Sequence, residues 1–244
     1  RSIWVTGVQT CALPICLVTF LLPAHIAAMA TGMLLWGSSL LWPYLFAVSV
    51  AITAKHVVKA PVAGRWRHTM NPSNTGIVAT LLLFPWVGIA PPYMFTASVQ
   101  QPIDWLLPIG ILGAGTMLNV KLTGKAPLIM AWVGGFIVQA VLRWLLLDHS
   151  LAGALGPLTG VAVVLFTNYM ITDPGTTPVA RRGQVAFGLT CAAYYALLVT
   201  LHVSFGLFFA LVATCLSRTV LLLVIEARRR WARPNVPAPV GSTS

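Results

Sequence analysis

Acidic residues are almost absent from this sequence, and charged residues of any kind are few. Asp and Glu together number four in 244 residues, and charged residues make up 8% of the chain. Soluble domains carry about 25% charged residues, and disordered chains combine low hydrophobicity with high net charge, so both classes are excluded. Four cysteines are too few for a disulfide-stabilised scaffold. Hydrophobic residues, at 58%, dominate instead and indicate an integral membrane protein.

The hydrophobic residues occur in long, continuous runs, which predict membrane-spanning helices of about 20 residues each. The predicted spans cover residues 17–36, 39–54, 75–90, 104–119, 126–147, 151–171, 184–200 and 203–225. The predicted fold is therefore all-α, a polytopic helical bundle in the membrane with about eight spans.

Basic residues outnumber acidic ones strongly, with a net charge of +11. Twelve of the fifteen fall in every second predicted loop: Lys55, Lys59, Arg65, Arg67, Lys121, Lys125, Arg181, Arg182, Arg228, Arg229, Arg230 and Arg233. Cytoplasmic loops of membrane proteins carry such an excess. We therefore predict a multi-pass protein of the cell membrane, expected to be a bacterial inner membrane, with these loops and the C-terminus cytoplasmic. The lipid bilayer, rather than nucleic acid, is the predicted partner.

Three regions are predicted along the chain. Residues 1–15 resemble translated sequencing-adapter sequence, so we interpret them as non-native and expect the natural N-terminus to be missing. Residues 16–226 form the predicted helical membrane domain. Residues 227–244 form a basic, proline-containing tail.

A first candidate site lies at residues 67–76, in the run RHTMNPSNTG. Asn71-Pro72 predicts a turn, after which Ser73 or Asn74 would cap a helix beginning near residue 77. Free N–H groups at a helix start attract anions, and His68 lies close by. Two interpretations stay open: a phosphate or carboxylate pocket, or a well-capped helix with a cytoplasmic basic flank.

A second candidate site lies at residues 167–184. Asp173, one of the four acidic residues, is followed by Pro-Gly and then by the hydroxyls of Thr176 and Thr177. A carboxylate where a helix leaves the bilayer needs a partner or water. Arg182 is a candidate partner nearby, and Arg218 is a candidate counter-ion inside the last predicted span. The alternative is a structural turn in which Asp173 pairs with Arg181 or Arg182.

The two loops share a Met–Asn/Asp–Pro pattern followed by small and hydroxylated residues. Interrupted segments in corresponding positions often mark internal repeats whose broken helices build a binding site. Two interpretations of the pattern stay open: such a repeat, or chance similarity.

Short motifs in and around these loops resemble those of one known family of membrane proteins. They span about residues 55–190 and are Thr172-Asp173-Pro174, Thr176-Thr177-Pro178, Arg182-Gly183-Gln184, Phe187-Gly188 and Asn71-Pro72 with Asn74. The family, RnfD/NqrB, comprises one membrane component of the Rnf electron-transport complex and one of the sodium-translocating NADH:quinone oxidoreductase. The run FPWVGIAPPY at 84–93 resembles a divergent branch associated with enediyne biosynthesis.

The resemblance implies a membrane subunit of electron transport or ion translocation, not catalytic by itself, that works with other membrane subunits. In the family, a Thr in a Ser/Thr-Gly-Ala-Thr motif carries FMN. The comparable loop 91–103 has only Thr96-Ala97-Ser98, so we predict no covalent FMN; Thr96 or Ser98 would be the attachment candidates. No metal site is predicted. The alternative function is a small-molecule transporter or accessory membrane protein of a natural-product cluster.

Overall fold

The computed structural model of this protein describes residues 17, 21–22, 24–62, 64–91 and 106–231. The adapter-like segment 1–15 and the predicted tail beyond residue 231 lie outside the described residues. The described part of the chain is mostly helical, as the composition predicts.

Nine α-helices and four short strands occur within these residues. The helices are α1 (Ala24–Leu34), α2 (Trp42–Val57), α3 (Pro72–Leu83), α4 (Leu106–Met117), α5 (Ala126–Leu147), α6 (Leu151–Leu155), α7 (Val161–Leu165), α8 (Arg181–Thr200) and α9 (Gly206–Trp231). The strands are β1 (Leu35–Trp36), β2 (Lys59–Val62), β3 (Arg65–His68) and β4 (Gly88–Ile89). Helix α9 includes the first residues of the predicted tail.

Among the described residues, three helices are long and apolar enough to cross a membrane: α5, α8 and the part of α9 from Gly206 to Arg229. A fourth crossing is available if Leu151–Thr159 and Val161–Met170, which meet at a bend of 63°, form one broken span. The prediction of eight spans is not supported. With a rise of 1.5 Å per residue, the 12 residues of α3 or of α4 reach about 18 Å, short of a hydrocarbon core of about 30 Å.

Two small antiparallel sheets were not predicted from the sequence. Strands β2 and β3 form a hairpin in which Lys59 pairs with His68 and Val62 with Arg65. Gly64, at φ +78°, provides the left-handed backbone that a tight hairpin turn requires. Strand β1 pairs with β4. The hairpin leads directly into the first candidate loop and so determines where His68 lies.

The segment 151–170, here named the broken segment, includes two irregular helical turns. Residues Gly156–Thr159 form a 3₁₀ turn and Phe166–Met170 form a π-helix. A further π-helix, Leu118–Leu122, follows α4. Such π turns occur mostly as single turns, frequently at functional sites. Each of these two π turns precedes a loop that builds the candidate site described below.

An aromatic cluster forms the centre of the core. The indole of Trp132 is fully buried and donates a hydrogen bond to Thr167 Oγ1 at 3.0 Å. Its ring lies 5.3 Å from that of Phe166 and 5.9 Å from that of Tyr195. Because these residues come from α5, the π-helix at 166–170 and α8, the cluster joins the broken segment to both long helices.

Helices α5 and α8 are parallel and pack at very short range. A Cβ added at Gly135 of α5 would lie 2.6 Å from Ala192 Cβ, and one added at Gly188 would lie 2.7 Å from the carbonyl oxygen of Leu128. Small residues permit this kind of backbone approach in membrane helix pairs. As a result, the N-terminal ends of α5 and α8 meet at one end of the molecule, beside the second candidate loop.

We expect Gly188→Ala to destabilise the protein, because the added methyl group meets backbone atoms of α5 that cannot rotate away. Overpacking of this kind costs about 1–3 kcal/mol. Gly134→Ala is the matched control, since a Cβ there meets nothing within 4 Å. The measurement is the thermal unfolding midpoint in detergent. Equal midpoints for the two variants would contradict the close packing of α5 and α8.

Candidate functional site

The first candidate loop ends in a helix cap provided by Asn71. Its Oδ1 accepts hydrogen bonds from the backbone N–H of Asn74 at 3.0 Å and from Ser73 Oγ at 3.2 Å. The prediction that Ser73 or Asn74 caps a helix near residue 77 is therefore wrong. Helix α3 already begins at Pro72, because proline fits the first helical position, where no N–H is needed.

The same Asn71 side chain joins the first loop to the second. Its Nδ2 donates to the carbonyl oxygen of Met170 at 2.8 Å, across 99 positions of sequence. Asn74 makes a similar long-range bond, in which its Nδ2 donates to the carbonyl oxygen of Phe208 in α9 at 2.9 Å. Both asparagines are buried. The start of α3 is thus tied to both the broken segment and α9.

A pair of hydroxyl groups adds a further contact between the loop before α3 and helix α9. Thr69 Oγ1 and Thr219 Oγ1 lie 2.6 Å apart, within hydrogen-bond distance, and both residues are buried. Neither threonine stood out in the sequence, because a threonine in an apolar helix usually bonds its own backbone four residues back. Thr219 does that as well, through the carbonyl oxygen of Cys215.

The second candidate loop folds around the carboxylate of Asp173. Oδ1 accepts the backbone N–H of Gly175 at 3.2 Å, and Oδ2 accepts Thr176 Oγ1 at 3.1 Å. Thr177 Oγ1 donates to the backbone oxygen of Asp173 at 2.7 Å. Asp173 is followed by a turn rather than by a helix, since α8 begins at Arg181. The two loops are therefore not equivalent locally, in contrast to what a repeat predicts.

Two cations hold the second loop through its backbone carbonyl oxygens. Arg218 Nη1 donates to the carbonyl oxygen of Thr176. Lys125 Nζ donates to the carbonyl oxygen of Pro178 at 2.9 Å, although Lys125 is only 4% exposed. Burial lowers the pKa of Lys125, and the nearby negative charge of Asp173 opposes that shift. Arg218 therefore lies in the same cluster as Asp173, and the contact that the structure gives it is with the loop backbone rather than with the carboxylate.

Lys125 is a site residue that the sequence did not single out. It lies between the π-helix at 118–122 and α5, where it looks like one more cytoplasmic basic residue. The backbone N–H of Lys125 donates to the carbonyl oxygen of Asn119 at 2.8 Å. Asn119 Nδ2 in turn donates to the carbonyl oxygen of Asn168 at 2.7 Å. Only this folding of the π-helix against the broken segment brings the ammonium group of Lys125 to the second candidate loop.

His68, at the end of β3, lies against the second loop. A Cβ added at Gly175 would overlap its imidazole Nε2. Burial lowers the pKa of His68, while the negative charge of Asp173 opposes this and the basic neighbours Lys55, Lys59 and Arg67 reinforce it. The imidazole is therefore favoured in its neutral form, as a hydrogen-bonding group rather than a cation.

Most of the predicted site residues come together, and a few do not. The residues that come together are here named the junction. Within the described residues, it contains the predicted residues His68, Asn71, Ser73, Asn74, Asp173, Thr176, Thr177 and Arg218. Lys125 also belongs to it. Arg182 lies exposed in the first turn of α8, and the structure shows no contact that draws it into this group. Thr96 and Ser98 lie outside the described residues.

Two buried amide oxygens at the N-terminal ends of α3 and α8 have no hydrogen-bond partner among the described residues. They are Oδ1 of Asn74, in the first turn of α3, and Oε1 of Gln184, in the first turn of α8. A buried acceptor without a donor calls for water or an ion. Asn74 Oδ1 and the Asp173 carboxylate give the junction the kind of groups that meet a hydrated cation or a proton-carrying water chain, and Gln184 Oε1 lies at the start of α8.

The chain matches no protein-family model, and a search of curated proteins returns no match.

We expect Asn71→Asp to destabilise the protein although it preserves the helix cap. An aspartate oxygen still accepts from the Asn74 N–H, but the second oxygen replaces the donor to Met170 and repels that carbonyl oxygen. A buried acceptor left unpaired costs about 1–3 kcal/mol. Ser73→Ala serves as the comparison, since it removes only the hydrogen bond from Ser73 to Asn71. Thermal unfolding in detergent measures both, and an Asn71→Asp protein as stable as Ser73→Ala would refute the tie between the loops.

Proposed function

We propose that this protein is a membrane-embedded subunit that takes part in ion translocation coupled to membrane electron transport. The observation that supports this function is the polar junction at one end of the apolar helices. The junction joins two proline-containing loops and contains Asp173, Lys125 and Arg218 within a chain of very low charge. In this proposal, the ion passes the junction, and the protein acts with other membrane subunits and is not catalytic by itself.

The placement of these ionisable groups supports a functional role. Charged groups inside or at the end of a membrane span are costly, rare and commonly part of ion or substrate paths. Lys125 is buried at the start of α5, and Arg218 lies within the apolar helix α9. A loop whose only role was to reverse the chain would be more stable with neutral residues, because they avoid the cost of removing charged groups from water.

The unpartnered oxygens support a cation or proton path rather than an anion site. Asn74 Oδ1 and Gln184 Oε1 are acceptors, and they suit a hydrated cation or a water chain. Lys125, the buried cation of the junction, already donates to a carbonyl oxygen of the loop. The predicted phosphate pocket at the start of α3 is less favoured, because Asn71 Oδ1 occupies the Asn74 N–H.

The resemblance to the RnfD/NqrB family supports the association with electron transport. The same residues that carry it, around Asp173 and Asn71, build the junction. We do not propose covalent FMN, because the loop at 91–103 has no Gly-Ala-Thr sequence. An absorption spectrum of the purified, denatured protein checks this, since a covalently attached flavin would remain with the chain.

We expect Asp173→Asn to reduce potential-driven Na⁺ or proton uptake into proteoliposomes containing the purified protein. Loss of the Asp173 carboxylate removes the negative group that stabilises a passing cation. A reduction of about tenfold or more is expected, equivalent to about 1.4 kcal/mol on the barrier. Uptake is followed with radioactive sodium and, separately, with a pH-sensitive dye inside the vesicles.

Asp148→Asn is the matched control for this experiment. Asp148 is exposed at the C-terminal end of α5 and adopts φ 54°, a left-handed conformation that Asn accepts readily. The same chemical change there should leave the flux unaltered. If both variants transport as the unmodified protein does, or if that protein carries neither ion, the proposed function is wrong.

We further propose that the junction faces the cytoplasm. Helices α8 and α9 are antiparallel neighbours joined at residues 201–205, since Tyr194 Oη lies 2.6 Å from Ser217 Oγ. The basic residues Arg181, Arg182, Arg228 and Arg229 lie at the ends of this pair away from the connection. The excess of basic residues on cytoplasmic loops supports this orientation.

We expect a cysteine at position 182 to react with a membrane-impermeant maleimide only from the cytoplasmic side. A cysteine at position 202 should react only from outside, because α8 separates the two positions. The test uses Arg182→Cys and His202→Cys in a chain whose own cysteines are replaced by serine, with intact cells and inside-out vesicles as samples. Labelling of both positions from the same side would contradict the orientation and the crossing by α8.

A second candidate function, a transporter or accessory protein for small apolar molecules, is favoured by a separate cavity of about 330 Å³. It lies between α1, α4 and the broken segment and is lined by Ile26, Met29, Ala30, Met33, Leu34, Ile111, Leu165, Tyr169 and Met170. Volumes near this one hold small ligands. Uptake of an apolar solute that Ala30→Trp blocks, with no ion flux, would favour this candidate.

A further inference from the structure

A groove between α8 and α9, here named the α8–α9 groove, borders the junction and shares Arg218 with it. It has a volume of about 290 Å³, and its lining includes Gly183, Ala186, Phe187, Thr214, Arg218 and Leu221. Ala186 and Leu221 are exposed, whereas Phe187 and Thr214 are buried. The groove therefore has a buried floor and opens on the outer surface of two apolar helices, where lipid would surround the protein.

The groove is mainly apolar but includes one guanidinium group. Arg218 is half-buried, and the structure gives its guanidinium one hydrogen bond among the described residues, to the carbonyl oxygen of Thr176. A guanidinium carries five N–H donors in a planar fork that suits phosphate oxygens. Donors therefore remain for a ligand that enters the groove.

The depth of Arg218 matches the headgroup region. Helix α8 has 20 residues and so extends about 30 Å, the thickness of the hydrocarbon core. Its first turn, at Arg181, thus marks one boundary of that core. The Arg218 guanidinium reaches back to Thr176, five positions before α8 begins, and therefore lies near this boundary. Long basic side chains commonly reach headgroups in this way.

The groove extends from that boundary into the hydrocarbon region. Its lining runs along α8 from Gly183 to Thr190, which corresponds to about 10 Å of helix. An occupant must therefore be apolar along most of its length and negatively charged at the end beside Arg218. The exposed Arg181 and Arg182 at the same end add positive potential, and with Arg218 they outnumber the one nearby carboxylate, that of Asp173.

We infer that the α8–α9 groove binds one anionic phospholipid, with its phosphate on Arg218 and one acyl chain between α8 and α9. A zwitterionic phospholipid fills the apolar part equally well but brings its own cation beside the guanidinium. The binding preference for the anionic lipid over the zwitterionic one therefore comes from Arg218. Lipid binding in this groove does not depend on whether the junction passes ions.

The test measures lipids retained by the full-length protein in native mass spectrometry after exchange into detergent. Phosphatidylglycerol and phosphatidylcholine with identical acyl chains are supplied as equimolar probes. We expect one tightly retained lipid with a preference of about tenfold for phosphatidylglycerol, the discrimination that one charge-assisted contact provides. Arg218→Gln should abolish the preference while keeping a donor for the Thr176 carbonyl oxygen, and Arg218→Lys should retain most of it.

Two further variants separate the groove from general charge attraction. Ala186→Phe fills the groove without changing any charge, so it should remove the retained lipid whichever headgroup is supplied. This variant also tests lipid binding if Arg218→Gln fails to fold. Arg229→Gln removes a basic residue near the end of α9, outside the residues that line the groove, and should leave the preference unchanged.

Three results would overturn the inference. The first is a full preference for phosphatidylglycerol in Arg218→Gln. The second is unaltered lipid retention in Ala186→Phe. The third is displacement of the retained lipid from the unmodified protein by inorganic phosphate alone, which would identify a site for a soluble anion rather than for a lipid.

Discussion

The side chain of Asn71 is the contact on which the rest of the junction depends. One carboxamide caps α3 through its oxygen and holds the carbonyl oxygen of Met170 through its nitrogen. An amide suits this position because it is both donor and acceptor without a charge, and charge is costly in an apolar interior. Without this contact, the first loop and the broken segment would lack the bond that joins them directly.

The broken segment uses the same physical rule in another form. Backbone groups in an apolar environment must find partners within the protein, so irregular turns need side chains that supply them. Thr172 Oγ1 donates to the carbonyl oxygen of Asn168 at 2.7 Å, and Asn119 Nδ2 donates to the same oxygen. Polar residues that look misplaced in an apolar sequence thus stabilise the irregular backbone, and this backbone in turn positions Asp173.

The basic side chains of this protein occupy two different environments, one buried and one exposed. Lys125 is buried and holds a loop carbonyl oxygen, whereas Arg181 and Arg182 are exposed at the start of α8. Arg218 combines both, because it contacts the loop on one side and lines the α8–α9 groove on the other. The basic residues therefore differ in role, since Lys125 and Arg218 organise the junction while Arg181 and Arg182 lie exposed at the start of α8.

The sequence by itself determined the helical membrane character, because long, continuous apolar runs such as those of α5, α8 and α9 satisfy their backbone hydrogen bonds in lipid by forming helices. It also located both loops, since Asn-Pro and Asp-Pro-Gly restrict the backbone locally. Tertiary structure alone decided that the earlier apolar runs form short helices and that the basic segment between two of them forms a hairpin. It alone also brought Lys125, Thr69 and Thr219 to the junction, because these contacts join residues from 53 to 150 positions apart.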